Sequence, residues 1–128
     1  MTKEEIIRNH SSLSLAYIGD AVFELLVREH LLKSGLAVNG VMHKRAKEYV
    51  SASAQSALLE LISGELTEDE AGVVRRGRNC KPHSHPKNAN LSEYHNATGF
   101  EALWGYLHLQ KNTDRINQLF NIIVANDE

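Results

Sequence analysis

The amino-acid sequence predicts an all-α fold, a single helical bundle spanning residues 1–128. Three observations support this class. The only prolines are Pro82 and Pro86, so long helices can form on either side of them. No segment shows the clean alternation of polar and apolar residues that is typical of a half-buried strand. Residues with high helix propensity dominate the remainder of the chain.

Five helices are predicted, and turn or capping residues support most of their ends. Ser34-Gly35 and Ser63-Gly64 are typical stop signals, which end the first and second helices. Thr67 and Glu70 have the spacing of a capping box, which opens a third helix that frays near Gly77. The predicted helices cover approximately residues 12–33, 41–62, 67–77, 92–110 and 113–125.

Length and composition indicate an ordinary soluble domain. The 128 residues suffice for one hydrophobic core, and the hydrophobic fraction of 42% and charged fraction of 23% are average. Cys80 is the single cysteine, which excludes an intramolecular disulfide bond and fits a reducing compartment. No secretory signal is visible, and no apolar stretch approaches the roughly 20 residues of a membrane span. We therefore expect a cytoplasmic protein that does not enter a membrane.

Two carboxylates lie inside segments that otherwise read as buried helix. Asp20 lies within Leu15–Glu24, a helix with apolar residues on nearly every face, which predicts a central helix that shields Asp20 from bulk water. Glu101 lies within Phe100–Leu107. Both acids have alanine and glycine neighbours, which would let the two helices approach closely and bring the carboxylates together. Such a pair suits Mg²⁺, which is commonly held by one or two carboxylates together with substrate phosphates. Mn²⁺ is expected to substitute for it.

The residues alone leave a purely structural reading open. Asp20 could be a paired acid, and Glu101 could pair with a basic residue of the core. Glu24 fits that reading, because it can pair with Arg28 four residues later. Trp104 is expected in the core rather than on a base-stacking surface, and so is Tyr106.

A basic segment without acids runs from Val73 to Asn88, and its part from Arg75 to Lys87 is interpreted as a basic loop, although the net charge of the chain is −2. We expect this segment to contact phosphates. A weaker second patch on the second helix contains Lys44, Arg45 and Lys47, and a solvated helix face is the alternative there. A zinc site is an alternative, with Cys80, His83, His85 and His95 as its candidate ligands. The spacing of these residues fits no common closed zinc site. The cations of the basic segment are Arg75, Arg76, Arg78, Lys81 and Lys87.

The two acidic stretches resemble the catalytic domain of the ribonuclease III family. Its signature core Leu-Gly-Asp-Ala-Val is similar to Ile18–Val22, and its second acidic motif Asp-x-x-Glu-Ala-Leu-x-Gly is similar to Thr98–Gly105. The full family pattern has two further acids, at the positions of Ala16 and Thr98 in this chain. With these two departures and without a double-stranded-RNA-binding domain, the sequence resembles a family branch known as Mini-ribonuclease III.

The resemblance implies a Mg²⁺-dependent endoribonuclease that cleaves double-stranded RNA during maturation of large-subunit ribosomal RNA and leaves a 5′-phosphate. It makes Asp20 and Glu101 the catalytic and metal-binding residues. It also implies a homodimer in which Tyr17 inserts into the partner subunit, the alternative being a tyrosine of the core. A ribosomal protein is a further partner that the resemblance leaves open. A catalytically silent RNA-binding dimer of the same fold and a helical interaction module without RNA stay as alternatives.

Overall fold

The computed structural model describes residues 1–35, 39–80 and 90–125, and within these ranges all regular structure is helical. The predicted all-α class is confirmed. None of the described helices combines the length and the apolar character that crossing a membrane requires. In chain order the elements are α1 (Lys3–Asn9), α2 (Ser12–Lys33), α3 (Asn39–Val50), α4 (Ala52–Ile62), a 3-10 turn (Ser63–Glu65), α5 (Glu68–Arg78), α6 (Leu91–Leu109) and α7 (Thr113–Val124).

Helix α6 is the centre of the fold and packs against α2, α4 and α5. Every residue from Ala97 to Leu107 is buried except Glu101. Phe23 of α2 packs edge-on against Phe100 with ring centroids 4.9 Å apart, and stacks on Trp104 at 5.5 Å. Such aromatic contacts stabilise the α2–α6 interface by more than the burial of their apolar surface alone would. The prediction that Trp104 and Tyr106 belong to the core is confirmed.

Helix α2 covers α6 from one side, and the prediction that it is the enclosed central helix is wrong. Phe23 and Val27 are fully buried against the core. In contrast, Tyr17 is 83% exposed, Leu25 58% and Leu32 63%. A helix with apolar residues on several faces can thus pack one face on its own core and leave another on the surface.

The segment predicted as one helix over residues 41–62 is divided into α3 and α4 at Ser51. Ser51 has an extended backbone, with φ −66° and ψ 156°, and its hydroxyl accepts a hydrogen bond from the Ala54 amide at 3.2 Å. A serine offers the backbone this alternative to continued helix, which explains the break. The short helix α1 was not predicted, although Thr2 and Glu5 form a capping box at its start.

The capping box predicted for α5 is confirmed, but the fraying at Gly77 is not observed. The Thr67 amide donates to Glu70 Oε1 at 2.9 Å, and the Glu70 amide donates to Thr67 Oγ1 at 3.1 Å. Gly77 is buried within the helix, and a Cβ atom built on it would lie 2.8 Å from Gly99 Cα. The glycine therefore serves a close contact between α5 and α6. The loop predicted for residues 80–90 lies almost entirely outside the described residues.

A partly buried ion pair joins α5 to α7. The Arg115 guanidinium donates from Nε and Nη2 to the two Glu70 carboxylate oxygens, both at 2.8 Å. Burial alone would raise the Glu70 pKa, but hydrogen bonds from Arg115 and Thr67 lower it overall. This geometry is the two-pronged one that makes arginine–carboxylate pairs strong.

Candidate active site

Helices α2 and α6 cross with their backbones in direct contact. A Cβ atom built on Gly19 would lie 1.7 Å from the Glu101 carbonyl oxygen, and one built on Gly105 would lie 2.0 Å from the Leu15 carbonyl oxygen. No side chain fits at either position without moving a helix. Asp20 directly follows Gly19, and Glu101 lies one turn before Gly105, so the crossing brings the two acids together as predicted.

The two carboxyl groups interact, and they differ in environment. Asp20 is exposed, which corrects the expectation that it is shielded from water, whereas Glu101 is half-buried. Burial, followed by the hydrogen bond and the charge of Asp20, raises the Glu101 pKa to about 8. An acid with this pKa is mostly protonated at neutral pH, as expected where two carboxylates share one site. Among the described residues, no group of three or more histidines, cysteines and acids gathers in the way that a metal site would.

Gln55 of α4 is a third residue of this site, and the sequence analysis missed it. Its side chain is 2% exposed and lies near enough to Glu101 to oppose the rise in the pKa of that carboxyl group. Its Nε2 nonetheless has no hydrogen-bond partner among the described residues. A signal was present in the sequence, because Gln55 shares a helix face with Leu59 and Ile62, four and seven residues on.

Glu24 lies one turn beyond Asp20 and forms the predicted pair with Arg28. Arg28 Nη2 lies 2.9 Å from Glu24 Oε1, so the structural role expected for this acid is confirmed. The charge of Glu24 adds only the smallest of the named contributions to the raised Glu101 pKa. Glu24 is therefore a neighbour of the acid pair and is itself paired with Arg28.

The arginines that were assigned to a basic loop lie on a helix. Arg75, Arg76 and Arg78 are exposed and occupy the last turn of α5. Positive side chains there interact favourably with the negative end of the helix dipole. The stem of Arg78 packs over Gly99 of α6. Arg75 and Arg76 fall within the helix predicted over residues 67–77, and the observed helix extends one residue further, to Arg78.

The other predicted cations are less well placed or lie outside the description. Lys44 is exposed on α3, and Arg45 forms an ion pair with Glu48 one turn later. Lys81 and Lys87 lie outside the described residues, and so do His83 and His85 of the zinc alternative.

Comparisons with known proteins assign this arrangement to a family. A model of the ribonuclease III domain matches residues 13–112. A Mini-ribonuclease 3 from Enterococcus faecalis is 45% identical over 113 residues, covering 87% of this chain and 86% of that protein. Another from Symbiobacterium thermophilum is 49% identical over 107 residues, covering 84% and 82%. A crystal structure from Fusobacterium nucleatum is 32% identical with a TM-score of 0.85, covering 95% of this chain and 98% of that one.

This chain belongs to the Mini-ribonuclease 3 branch of the ribonuclease III family. The resemblance drawn from the sequence is confirmed, and with it the class of endoribonucleases. The ribonuclease III family is generally metal-dependent, and this agrees with the expectation of a metal cofactor.

The two positions at which this chain lacks an acid of the ribonuclease III pattern are both buried. Ala16 and Thr98 are each 8% exposed. The Thr98 hydroxyl donates to the Tyr94 carbonyl oxygen at 3.1 Å and stays within its own helix. Neither residue replaces the missing carboxylate, so this ribonuclease III domain keeps Asp20 and Glu101 from the four acids of the pattern.

Tyr17 lies on the surface of this ribonuclease III domain. Its exposure of 83% rules out the alternative of a core tyrosine in the single chain. Tyr17, Leu25 and Leu32 are spaced by eight and seven residues, which places them on one side of α2. We call these three residues the α2 apolar stripe.

Proposed function

We propose that this protein is a divalent-cation-dependent endoribonuclease that cleaves double-stranded RNA, with a precursor of large-subunit ribosomal RNA as its substrate. The observation that carries the proposal is the interaction between Asp20 and Glu101 at the α2–α6 crossing. Membership of the ribonuclease III family supports the class of reaction, which is hydrolysis of an RNA phosphodiester.

The donor set of the site fits Mg²⁺ or Mn²⁺. Two carboxylates supply hard oxygen ligands and leave the remaining coordination positions to water and phosphate oxygens. With a pKa of about 8, the Glu101 carboxyl mostly holds a proton at neutral pH in the cation-free protein. A divalent charge favours the ionised form of both acids, so cation binding would release that proton.

Asp20 and Glu101 would have different roles at this site. A bound divalent cation supplies a Lewis acid and lowers the pKa of an attached water. Asp20 is exposed and would face the RNA, whereas the half-buried Glu101 would hold its ligand oxygen in a fixed place. Addition of water across the phosphodiester bond leaves a 3′-hydroxyl on one fragment and a 5′-phosphate on the other.

The exposed arginines at the end of α5 would bind the duplex. Arg75, Arg76 and Arg78 project from one helical turn and can contact phosphates without reading bases. Double-stranded RNA is recognised largely through its shape and its backbone, so a short set of cations suits this substrate. Lys44 would extend the contact, and Lys81, Lys87 and Arg45 stay predicted RNA contacts.

A homodimer through the α2 apolar stripe completes the proposal. A Tyr17 side chain that is 83% exposed, on the same side of α2 as the exposed Leu25 and Leu32, is typical of a surface that another protein covers. A two-fold dimer would place one active site against each strand of the duplex. A cytoplasmic location and a ribosomal-protein partner also stay predictions.

A catalytically silent RNA-binding dimer is the second candidate, and one observation favours it. Ala16 and Thr98 replace two acids of the family pattern and offer no carboxylate. The same α5 arginines would then bind duplex RNA without cleaving it.

Incubation of the purified protein with a generic duplex RNA tests the proposal. With Mg²⁺ we expect shorter duplex fragments carrying 5′-phosphates, and with a chelator we expect intact RNA. A single-stranded RNA of the same sequence is the control and should stay intact. Duplex binding without cleavage at any Mg²⁺ or Mn²⁺ concentration would favour the silent dimer.

A further inference from the structure

Gln55 is a glutamine at a core position whose amide nitrogen has no partner. Its side chain is 2% exposed, and Nε2 forms no hydrogen bond with any described residue. Leu59 and Ile62 on the same face of α4 are also buried, at 7% and 0% exposure. A buried amide without a partner costs stability, whereas an apolar residue at this position would not. The glutamine therefore calls for an explanation beyond packing.

The position of α4 directs this amide toward the acid pair. Helix α4 packs along α6, and Asn96 Nδ2 donates to Ser56 Oγ at 2.9 Å, which joins the two helices beside Gln55. The Gln55 amide lies close to the Glu101 carboxyl group and favours its charged form. In the cation-free protein the Glu101 carboxyl group interacts with Asp20, and the Gln55 amide nitrogen has no hydrogen-bond partner among the described residues.

We propose that Gln55 is a positioning residue, whose Nε2 donates a hydrogen bond to one oxygen of the ionised Glu101 and thereby directs the other oxygen toward a divalent cation shared with Asp20. This inference rests on the metal site of the proposed function. Groups that hold metal ligands in place commonly change metal affinity by about 10- to 100-fold when they are removed. In this protein such a group matters more than usual, because only two of the four acids of the family pattern are present.

Direct binding of Mn²⁺ to the RNA-free protein tests the role of Gln55. Electron paramagnetic resonance measures free Mn²⁺ while the wild type, Gln55→Met and Glu101→Gln are titrated. Methionine has nearly the same length as glutamine but has no donor. We expect Gln55→Met to raise the Mn²⁺ Kd by about 10-fold or more, while the melting temperature in the absence of metal is unchanged or higher. A merely structural role would lower the melting temperature and leave the affinity of the folded protein unchanged.

Ser56→Ala is the matched control. It changes the neighbouring residue and removes the Asn96–Ser56 hydrogen bond but leaves the Gln55 amide in place. We expect a small loss of stability and an unchanged Mn²⁺ Kd. If Gln55→Met does not fold, Gln55→Leu removes the same donor and carries the same expectation.

The outcomes separate the inference from the proposed function. Equal Mn²⁺ affinity of the wild type and Gln55→Met, with weak binding by Glu101→Gln, overturns the role of Gln55 and leaves the metal site standing. Absence of Mn²⁺ binding by the wild type, or binding that Glu101→Gln does not weaken, overturns the metal site and the role of Gln55 with it.

Discussion

Helix α6 meets two neighbours through glycines, and the two contacts differ in the charges beside them. At the α2 crossing, Gly19 and Gly105 bring the backbones together and leave two acids in contact. At the α5 crossing, Gly77 packs on Gly99, and the adjoining turn carries exposed arginines.

The comparison shows how one packing device serves two purposes. Glycine lets two helices approach until the neighbouring side chains on each helix must interact or diverge. Where those neighbours are carboxylates, close approach creates a site that favours a cation. Where they are arginines at the end of a helix, it fixes a set of positive charges that face solvent.

Removal of the acid charges should have the largest effect. Asp20→Asn and Glu101→Gln keep size and hydrogen-bonding capacity, and each should reduce duplex cleavage by about a thousand-fold or more, because both carboxylates would serve one cation. The double variant should be little worse than either single one. Cleavage assays at saturating Mg²⁺ measure these losses.

Glu24→Gln is the control for the acid pair and should retain most activity, because Glu24 already pairs with Arg28. Duplex binding should survive in all of these variants. An inactive Glu24→Gln beside an active Glu101→Gln would mean that Asp20 works with its own helix and not with α6.

Alanine at the two crossings should separate activity from stability. Gly19→Ala would place Cβ 1.7 Å from the Glu101 carbonyl oxygen, so we expect a loss of more than about 3 kcal/mol in the free energy of unfolding and loss of cleavage. At Gly99 the nearest atom to such a Cβ is the Val74 carbonyl oxygen at 2.6 Å. Gly99→Ala should cost about 1–3 kcal/mol and leave the activity of the folded fraction largely intact.

Chemical denaturation and cleavage per folded molecule measure both effects. Gly64→Ala is the control, since the added Cβ would meet no atom within 4 Å beyond the adjacent residues, and it should be neutral. A Gly19→Ala protein as active and stable as the wild type would contradict the proposed importance of the α2–α6 contact.

Replacement of the α5 arginines should affect binding and not chemistry. Arg75, Arg76 and Arg78 changed together to alanine should weaken duplex binding and flatten its salt dependence, because each phosphate contact contributes a slope of about 0.9 on duplex DNA. Binding measured over a range of salt concentrations tests this. Lys33→Ala is an exposed control at the end of α2. An unchanged slope in the triple variant would move the RNA-binding face elsewhere.

Tyr17→Ala should shift the assembly toward monomer. Loss of an aromatic side chain that is 83% exposed costs little in the fold of the single chain, so the free energy of unfolding of the monomer should barely change. Sedimentation would detect the monomer, and cutting of both strands at paired positions should decline with it. A fully dimeric and active Tyr17→Ala protein would remove this residue from the interface.

The last expected effect is a pH dependence of stability in the absence of divalent cations. The Glu101 pKa is raised from 4.5 to about 8, so between these values the folded protein holds a proton that the unfolded chain has lost. The free energy of unfolding should therefore fall as the pH rises through this window and level off above it. Thermal denaturation at several pH values measures the slope. Saturating Mg²⁺ should reduce it, and Glu101→Gln should remove it. An equal slope in Glu101→Gln would assign the titration to another group.

Local signals in the sequence were enough for the helical class, several helix ends and the acid pair. The Thr67–Glu70 capping box and the Ser34-Gly35 stop act within one turn, so their residues can be read without the rest of the chain. Asp20 and Glu101 were found because each carboxylate interrupts an apolar run and has small neighbours. The exposure of Asp20 was not predictable in this way, because two apolar faces of α2 look alike until one of them packs on α6.

Only the tertiary structure decided which polar groups meet and which backbones come into contact. Gln55 joined the site because α4 packs on α6, a contact between residues far apart in sequence. Helix α5 continues through Gly77 to Arg78, and Gly77 packs on Gly99 of α6, a contact that local sequence does not reveal. Sequence patterns determined what each segment prefers by itself. Long-range packing decided the rest, because burial against another helix stabilises a segment by more than its own propensity does.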